Sequence, residues 1–354
     1  MKKELLMATA LVSTLGAASV AQAVTATMSG SMKIGAEFDS PESGVSTQNV
    51  IDLSNFSVSL SETTDGGTTL SSSFGVIDEG TSDIGDDDNS LKLTFTDGSA
   101  LELLNAGNAL GTHDIAVPSG AGEQGVAGTT VNSAPTDLDF MAGSTALGVE
   151  WHSAADFLAD GLKMSVSLST DSGAAKASTA RVESSWGLGA TYVTSAGDTA
   201  LTIGAGFAGS DVTTTATQAA GGKEGFTVGV SAVTGNLTIG VGYGSGDSFD
   251  PIDTAGGNTA NRDINGSVTK AGISYVTGDI TLAVGATSGE ATDVDFGTAP
   301  TTDDAKDTLS GSVTYAVASG VSAVLGYVTE DHQNDGASDT TGGSSWYVGA
   351  TMSF

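Results

Sequence analysis

The chain has no cysteine, five prolines, eleven lysines and arginines and only 6% aromatic residues in 354 positions. Each shortage excludes something. Without thiols there is no disulfide framework, no cysteine-ligated zinc and no thiol nucleophile. The few bases face 42 acids, for a formal net charge of -31. A nucleic-acid backbone is therefore no natural partner, because binding phosphates needs clustered Lys and Arg. Beyond Val24 no apolar run reaches ~18 residues, so no transmembrane helix is expected. Hydrophobicity itself is not short: 39% hydrophobic residues and a mean hydropathy of +0.08 argue against disorder. What is abundant is glycine, 50 residues, about twice the usual ~7% share. That excess, with charged residues at 15%, does not suit an ordinary two-core enzyme.

The N-terminus reads as an address. Lys2 and Lys3 form a basic start, Leu5 to Val20 an apolar stretch, and Ala21-Gln22-Ala23 a cleavage site. Residues 1–23 are expected to be a secretory signal peptide. Residues 24–354 then form a single exported domain.

From Val24 onward one pattern repeats. Met28, Gly30, Met32, Ile34, Ala36 and Phe38 alternate with Thr27, Ser29, Ser31, Lys33, Gly35 and Glu37. A strand puts these sets on opposite faces, since its side-chain period is 2. The alternation returns at Phe56–Leu60, Leu91–Phe95, Leu162–Leu168, Leu201–Phe207, Phe226–Ala232, Leu237–Tyr243, Ile280–Ala286 and Trp346–Phe354. Hairpin chemistry, with residues suited to positive φ, stands at Asp65-Gly66-Gly67, Asp97-Gly98, Asp160-Gly161, Ala196-Gly197-Asp198, Gly235-Asn236, Gly278-Asp279 and Ser319-Gly320. Between these turns lie longer polar stretches, the third of them, Asn105 to Gly143, by far the longest.

Roughly sixteen strands, short turns at one rim and long loops at the other, predict an all-β fold: a transmembrane antiparallel β-barrel. In lipid every backbone N–H and C=O must be paired, so the sheet must close. The apolar face then looks outward and the Ser, Thr and Gly face lines water. Inward Gly204, Gly206, Gly240 and Gly242 are expected to widen the lumen and ease curvature. Phe38, Trp151, Tyr192, Tyr243, Tyr275, Trp346 and Phe354 stand near strand ends, as girdle aromatics should.

On four features the chain resembles the Gram-negative outer-membrane general diffusion porins of the alphaproteobacterial type. They are the signal ending Ala21-Gln22-Ala23, the alternating first strand, the oversized third loop and a last strand ending in Phe354. The resemblance implies a homotrimer of sixteen-stranded barrels with short periplasmic turns and long extracellular loops. It implies a third loop folded into the pore. The segment Trp346–Phe354 is similar to the signal read by the outer-membrane barrel assembly machinery, with Phe354 as its terminal aromatic. The partners so implied are outer-membrane lipid and small hydrophilic solutes and ions.

Site residues follow from parity and loop position. Asp114, Glu123, Asp137 and Asp139, with His113, lie on the third loop and are expected to form an acidic constriction. Lys33, Glu37, Lys92, Glu102, Lys163, Arg181, Glu183 and Lys270 have inward parity and are expected on the pore wall. Arg262 is placed in a loop. The two arginines are too few for the basic wall that the family sets opposite its third loop. Acids crowd other loops: Asp83, Asp86, Asp87 and Asp88; Asp293 and Asp295; Asp303 and Asp304. No cofactor is required, but calcium, which takes 6–8 oxygen ligands, is a possible occupant of these clusters. A solvated acidic surface is the plainer reading. Gly204-Ala205-Gly206-Phe207-Ala208-Gly209 matches a dinucleotide fingerprint only by letter, since no helix follows it. His332 is read as a solvated loop residue.

The function expected is a water-filled, cation-preferring channel for passive diffusion, not an enzyme. Two alternatives belong to other classes. A secreted acidic calcium-binding β-protein, such as an adhesin or surface-layer component, would not need an apolar outer stripe. An outer-membrane hydrolase would need a His–Ser pair on the outer wall, and no acidic partner is evident beside His152. A substrate-specific channel would be marked by an aromatic ladder along the lumen.

Overall fold

The structure is a computed structural model. It describes residues 24–42, 44–77, 90–104, 107–126, 135–138, 147–170, 181–213, 221–250, 262–294, 304–333 and 342–354. The proposed signal peptide lies outside them. The alternating segments become β1 (Thr25–Pro41), β2 (Thr47–Thr63), β3 (Thr69–Ile77), β4 (Ser90–Thr94), β5 (Ala100–Leu103), β6 (Leu147–His152), β7 (Leu162–Thr170) and β8 (Arg181–Ala196). They continue as β9 (Thr199–Thr213), β10 (Gly221–Thr234), β11 (Leu237–Asp250), β12 (Arg262–Thr277), β13 (Ile280–Val294), β14 (Asp304–Ala318), β15 (Val321–Gln333) and β16 (Gly343–Ser353). Each strand pairs with its chain neighbours, and β1 pairs with β16, so the sixteen close into an antiparallel barrel with no free edge. The expected hairpin positions join the seven short connections, and Gly67, Gly98, Gly161, Gly197, Gly235, Gly278 and Gly320 take positive φ there. That φ is open to glycine without steric penalty.

Strand length is uneven. β3 to β7 have 9, 5, 4, 6 and 9 residues, whereas every other strand has 11 to 17. One side of the described wall is therefore low. The strands on the tall side also run past the expected ends. Arg262 opens β12, Asp293 falls in β13, Asp304 opens β14, and Asp331 and His332 lie in β15. These positions were expected in loops. The polar composition there belongs to the end of a strand, which the ladder still carries.

Burial is inverted relative to a soluble protein. Phe226, Val228, Ile239, Val241, Ile273, Val284 and Leu325 all lie exposed on one parity. Their opposite face carries Ser, Thr and Gly. Aromatic pairs stand on the same outer face, Trp186 with Phe207, Phe226 with Tyr243, and Tyr327 with Trp346, at centroid separations of 5.3, 6.0 and 4.5 Å. Among the described residues, the large apolar side chains that are fully buried, which include Leu110, Leu138 and Val268, are not between sheets. They lie where the third long loop meets the inner wall. The fold is held by its closed ladder and by that inner contact. An apolar outer face of this extent is compatible with lipid and not with water.

Candidate functional site

The third long loop, between β5 and β6, enters the lumen and follows its wall. It begins with one helical turn, α1 (Ala109–Thr112), capped by the Asn108 side chain, which accepts the Gly111 N–H at 2.9 Å. The root is clamped by Glu150 of β6, a residue that sequence reasoning passed over. Its carboxylate accepts the N–H groups of Gly107 and Asn108 at 3.3 and 3.1 Å and the Thr112 hydroxyl at 2.6 Å. Ser167 accepts the Ala109 N–H at 3.0 Å.

Past α1 the loop crosses β8 to β15. Here the inward glycines have a role other than the one expected. They do not widen the lumen. A Cβ on Gly206 would lie 2.7 Å from Leu110 Cα, and one on Gly229 the same distance from Ile115 Cβ. Added at Gly240 it would lie 2.9 Å from Pro118 Cδ, and at Gly285 2.8 Å from Ser119 Cα. Gly204 and Gly242 likewise lie under Ile115 and Leu138. The glycines are a bed on which the loop lies in backbone contact with the wall. The alternation gave their face but not their occupant. The loop is bonded onward by Gly120 N–H to Ser310 Oγ at 2.9 Å and Ala121 N–H to Ser312 Oγ at 2.8 Å. Glu37 of β1 accepts the Gly125 N–H at 2.6 Å and the Asn49 side chain at 3.2 Å. Glu37, expected on the pore wall, is also a second clamp.

Of the expected constriction residues, Glu123 is ion-paired with Lys33, and Asp137 with Lys270 at 2.6 Å. Asp137 is 69% exposed, so it projects into open lumen. Asp114 turns back on the loop, its carboxylate accepting the Ile115 N–H at 2.8 Å and the Thr227 hydroxyl at 3.4 Å. Asp139 lies outside the described residues. Among wall residues Lys92 pairs with Glu102, and Lys306 with Glu330 at 3.1 Å. His332 is not solvated. It is 4% exposed, and its Nε2 lies 2.9 Å from Glu330. Beside Arg181 and Glu183 the ladder carries a bulge. The register shifts between Val182 and Ser184 and sets Arg181 opposite Thr213. The side chains of Arg181, Glu183, Asp293 and Asp304 and the whole of Asp83, Asp86, Asp87, Asp88, Asp295 and Asp303 lie outside the described residues. Among the described residues no group of three or more His, Asp or Glu could hold a metal ion.

Two histidines meet below α1. His113 Nε2 and His152 Nδ1 lie 2.8 and 2.9 Å from the same Ser165 Oγ, and His113 Nδ1 lies 2.7 Å from Thr191 Oγ1. Burial, with the nearby His152 and Lys163, lowers the His113 pKa to about 4. His152 does have acids beside it, Glu102 at 3.5 Å and Glu150 at 3.7 Å, contrary to expectation. The Ser–His pair is inside the lumen rather than on the outer wall. Ser165 is 2% exposed with its hydroxyl shared between two rings, a poor arrangement for a nucleophile. At the closing strand Phe354 bonds its N–H to Gly30 O at 3.1 Å, and its ring stands 6.4 Å from that of Phe56.

No protein-family model matches the sequence, and no curated protein matches it. The likeness is in the fold. A porin structure refined at 1.8 Å aligns with TM-score 0.61 at 16% identity, over 93% of this chain and 100% of that one. The trimer form of OmpT from Vibrio cholerae gives 0.63 at 15% identity over 94% and 100%. The anion-selective porin of Comamonas acidovorans gives 0.63 at 12% identity over 94% and 100%. The chain has the outer-membrane porin fold.

Proposed function

We propose that this protein forms a water-filled channel in an outer membrane, through which small hydrophilic solutes and ions diffuse passively. One observation carries the reading: a closed barrel, apolar outside and polar inside, with its longest loop clamped against the inner wall rather than closing over the rim. A secreted acidic β-protein has no use for such an outside. The N-terminal signal supports export.

The same reading includes a homotrimer. A bilayer-spanning strand needs about 9–11 residues, and described β4, β5 and β6 have 5, 4 and 6. On the adjoining β2, Asp52 lies opposite Ile34 on the outward parity, between the aromatic levels of Phe38 and Phe56. A carboxylate there is unfavourable against hydrocarbon, so a protein partner suits this side better than lipid. The trimer form of the Vibrio OmpT supports this.

The channel's preference is for cations. Lys33, Lys92, Lys270 and Lys306 are each compensated by a carboxylate, which leaves the acid-rich long loops to set the potential at the outer mouth. The test is the zero-current potential across a KCl gradient. Potassium preference is expected, fading in concentrated salt as screening shortens below about 8–10 Å. Asp137→Asn should shift the potential toward chloride, because it leaves the Lys270 charge uncompensated. Chloride preference in the unaltered protein would overturn the assignment.

A further inference from the structure

We propose that the cavity beneath α1, on the short-turn side of the third loop, binds a small carboxylate- or phosphate-bearing solute through Lys163. The inference rests on the channel reading and adds a solute class to it. The cavity has a volume of about 650 Å³, and its lining includes Lys92, Lys163, His113, His152 and Thr191. In a chain of net charge -31, this gathering of basic groups runs against the average.

The charges around the cavity differ in whether they are already satisfied. Lys92 is held by Glu102. The nearby acids are also engaged. Glu150 spends its oxygens on Gly107, Asn108 and Thr112. Asp97 accepts the Ser99 N–H and hydroxyl at 2.9 and 2.7 Å. Lys163 is different. Among the lysines whose side chains are described it alone has no ion pair, and it is exposed to the cavity. His152 Nε2 makes no close hydrogen bond but faces the Glu102 carboxylate at 3.5 Å, so it is not free for a solute. The field of Lys163 also reaches His113 and helps to hold that imidazole neutral. The Lys163 ammonium on the cavity wall is therefore a charged donor short of an acceptor, and a carboxylate or phosphate supplies it. Because Lys163 is solvated, binding should be weak, which suits a channel that must also release its solute.

The test uses the detergent-solubilised protein and the same protein in planar bilayers. Inorganic phosphate is titrated into the micellar protein and followed by phosphorus line broadening, which needs no conductance. Saturable broadening at millimolar phosphate is expected. Lys163→Gln should raise the half-saturating concentration at least fivefold, and Lys163→Arg should restore it. In bilayers, phosphate and succinate should reduce each protein's own KCl step in a saturable way, more strongly from the short-turn side. No saturable broadening, or the same half-saturation in Lys163→Gln, overturns the inference. Failure to form KCl steps overturns the channel reading instead, so the two failures are distinct.

Discussion

At the scale of single residues, the third loop is held by groups that change with pH. His113 belongs to that loop and plants its ring in the wall, 4% exposed, with both ring nitrogens engaged by Thr191 and Ser165. Its pKa of about 4 in place of 6.5 follows first from burial and then from His152 and Lys163. The seated loop therefore excludes a proton that a released histidine would accept. The stability it contributes is fully present above pH 6.5 and is lost as pH falls from there toward 4, by up to about 3 kcal/mol at 1.36 kcal/mol per unit. Protease cleavage within residues 105–146, followed from pH 7 to pH 4, should rise in the unaltered protein. The rise should be much flatter in His113→Asn. An equal rise in both would assign the acid response elsewhere.

At the scale of elements, the seat of the loop is a set of absences, and absences are what a sequence shows least. The strands, their hairpins and the outer face were legible because a period of 2 is a local property. Which inward glycines lie beneath something was not, because the contact joins Leu110 or Pro118 to strands 90 to 170 positions onward, roughly, and no periodicity encodes that distance. The clamp by Glu150 escaped for the same reason. The bed can be tested against an internal control. A side chain at Gly206 meets the α1 backbone, whereas one at Gly75, also inward, meets nothing within 4 Å. Gly206→Val should displace the loop and change single-channel conductance. Gly75→Val should leave the heat-modifiable mobility of the barrel as it was. If both variants conduct like the parent, the loop is not seated on the bed.

At the scale of the whole molecule, two features ask for something outside the chain. The first is the low side with Asp52. If lipid covered it, Asp52→Leu would remove an unfavourable charge and stabilise the assembly. If a second copy covers it, the same change removes a polar contact and lowers the temperature at which trimers dissociate, while the monomeric barrel stays folded. The second is the acid excess of the long loops. Like charges held at one rim repel, and 42 acids have only 11 lysines and arginines to offset them. We propose that divalent cations bridge those loops, calcium being suited to flexible oxygen-rich sites. Monovalent salt screens the repulsion without bridging, so the two contributions separate by experiment. Thermal dissociation is measured in low salt with calcium, with chelator, and with chelator plus enough KCl to shorten the screening length to ~3 Å at about 1 M. Bridging predicts a lower transition with chelator that KCl restores only in part, because screening removes repulsion but supplies no ligand bonds. Full restoration by KCl would mean that the acids are a solvated surface and hold no ion. Coincident curves with and without chelator would mean that their repulsion has no bearing on assembly.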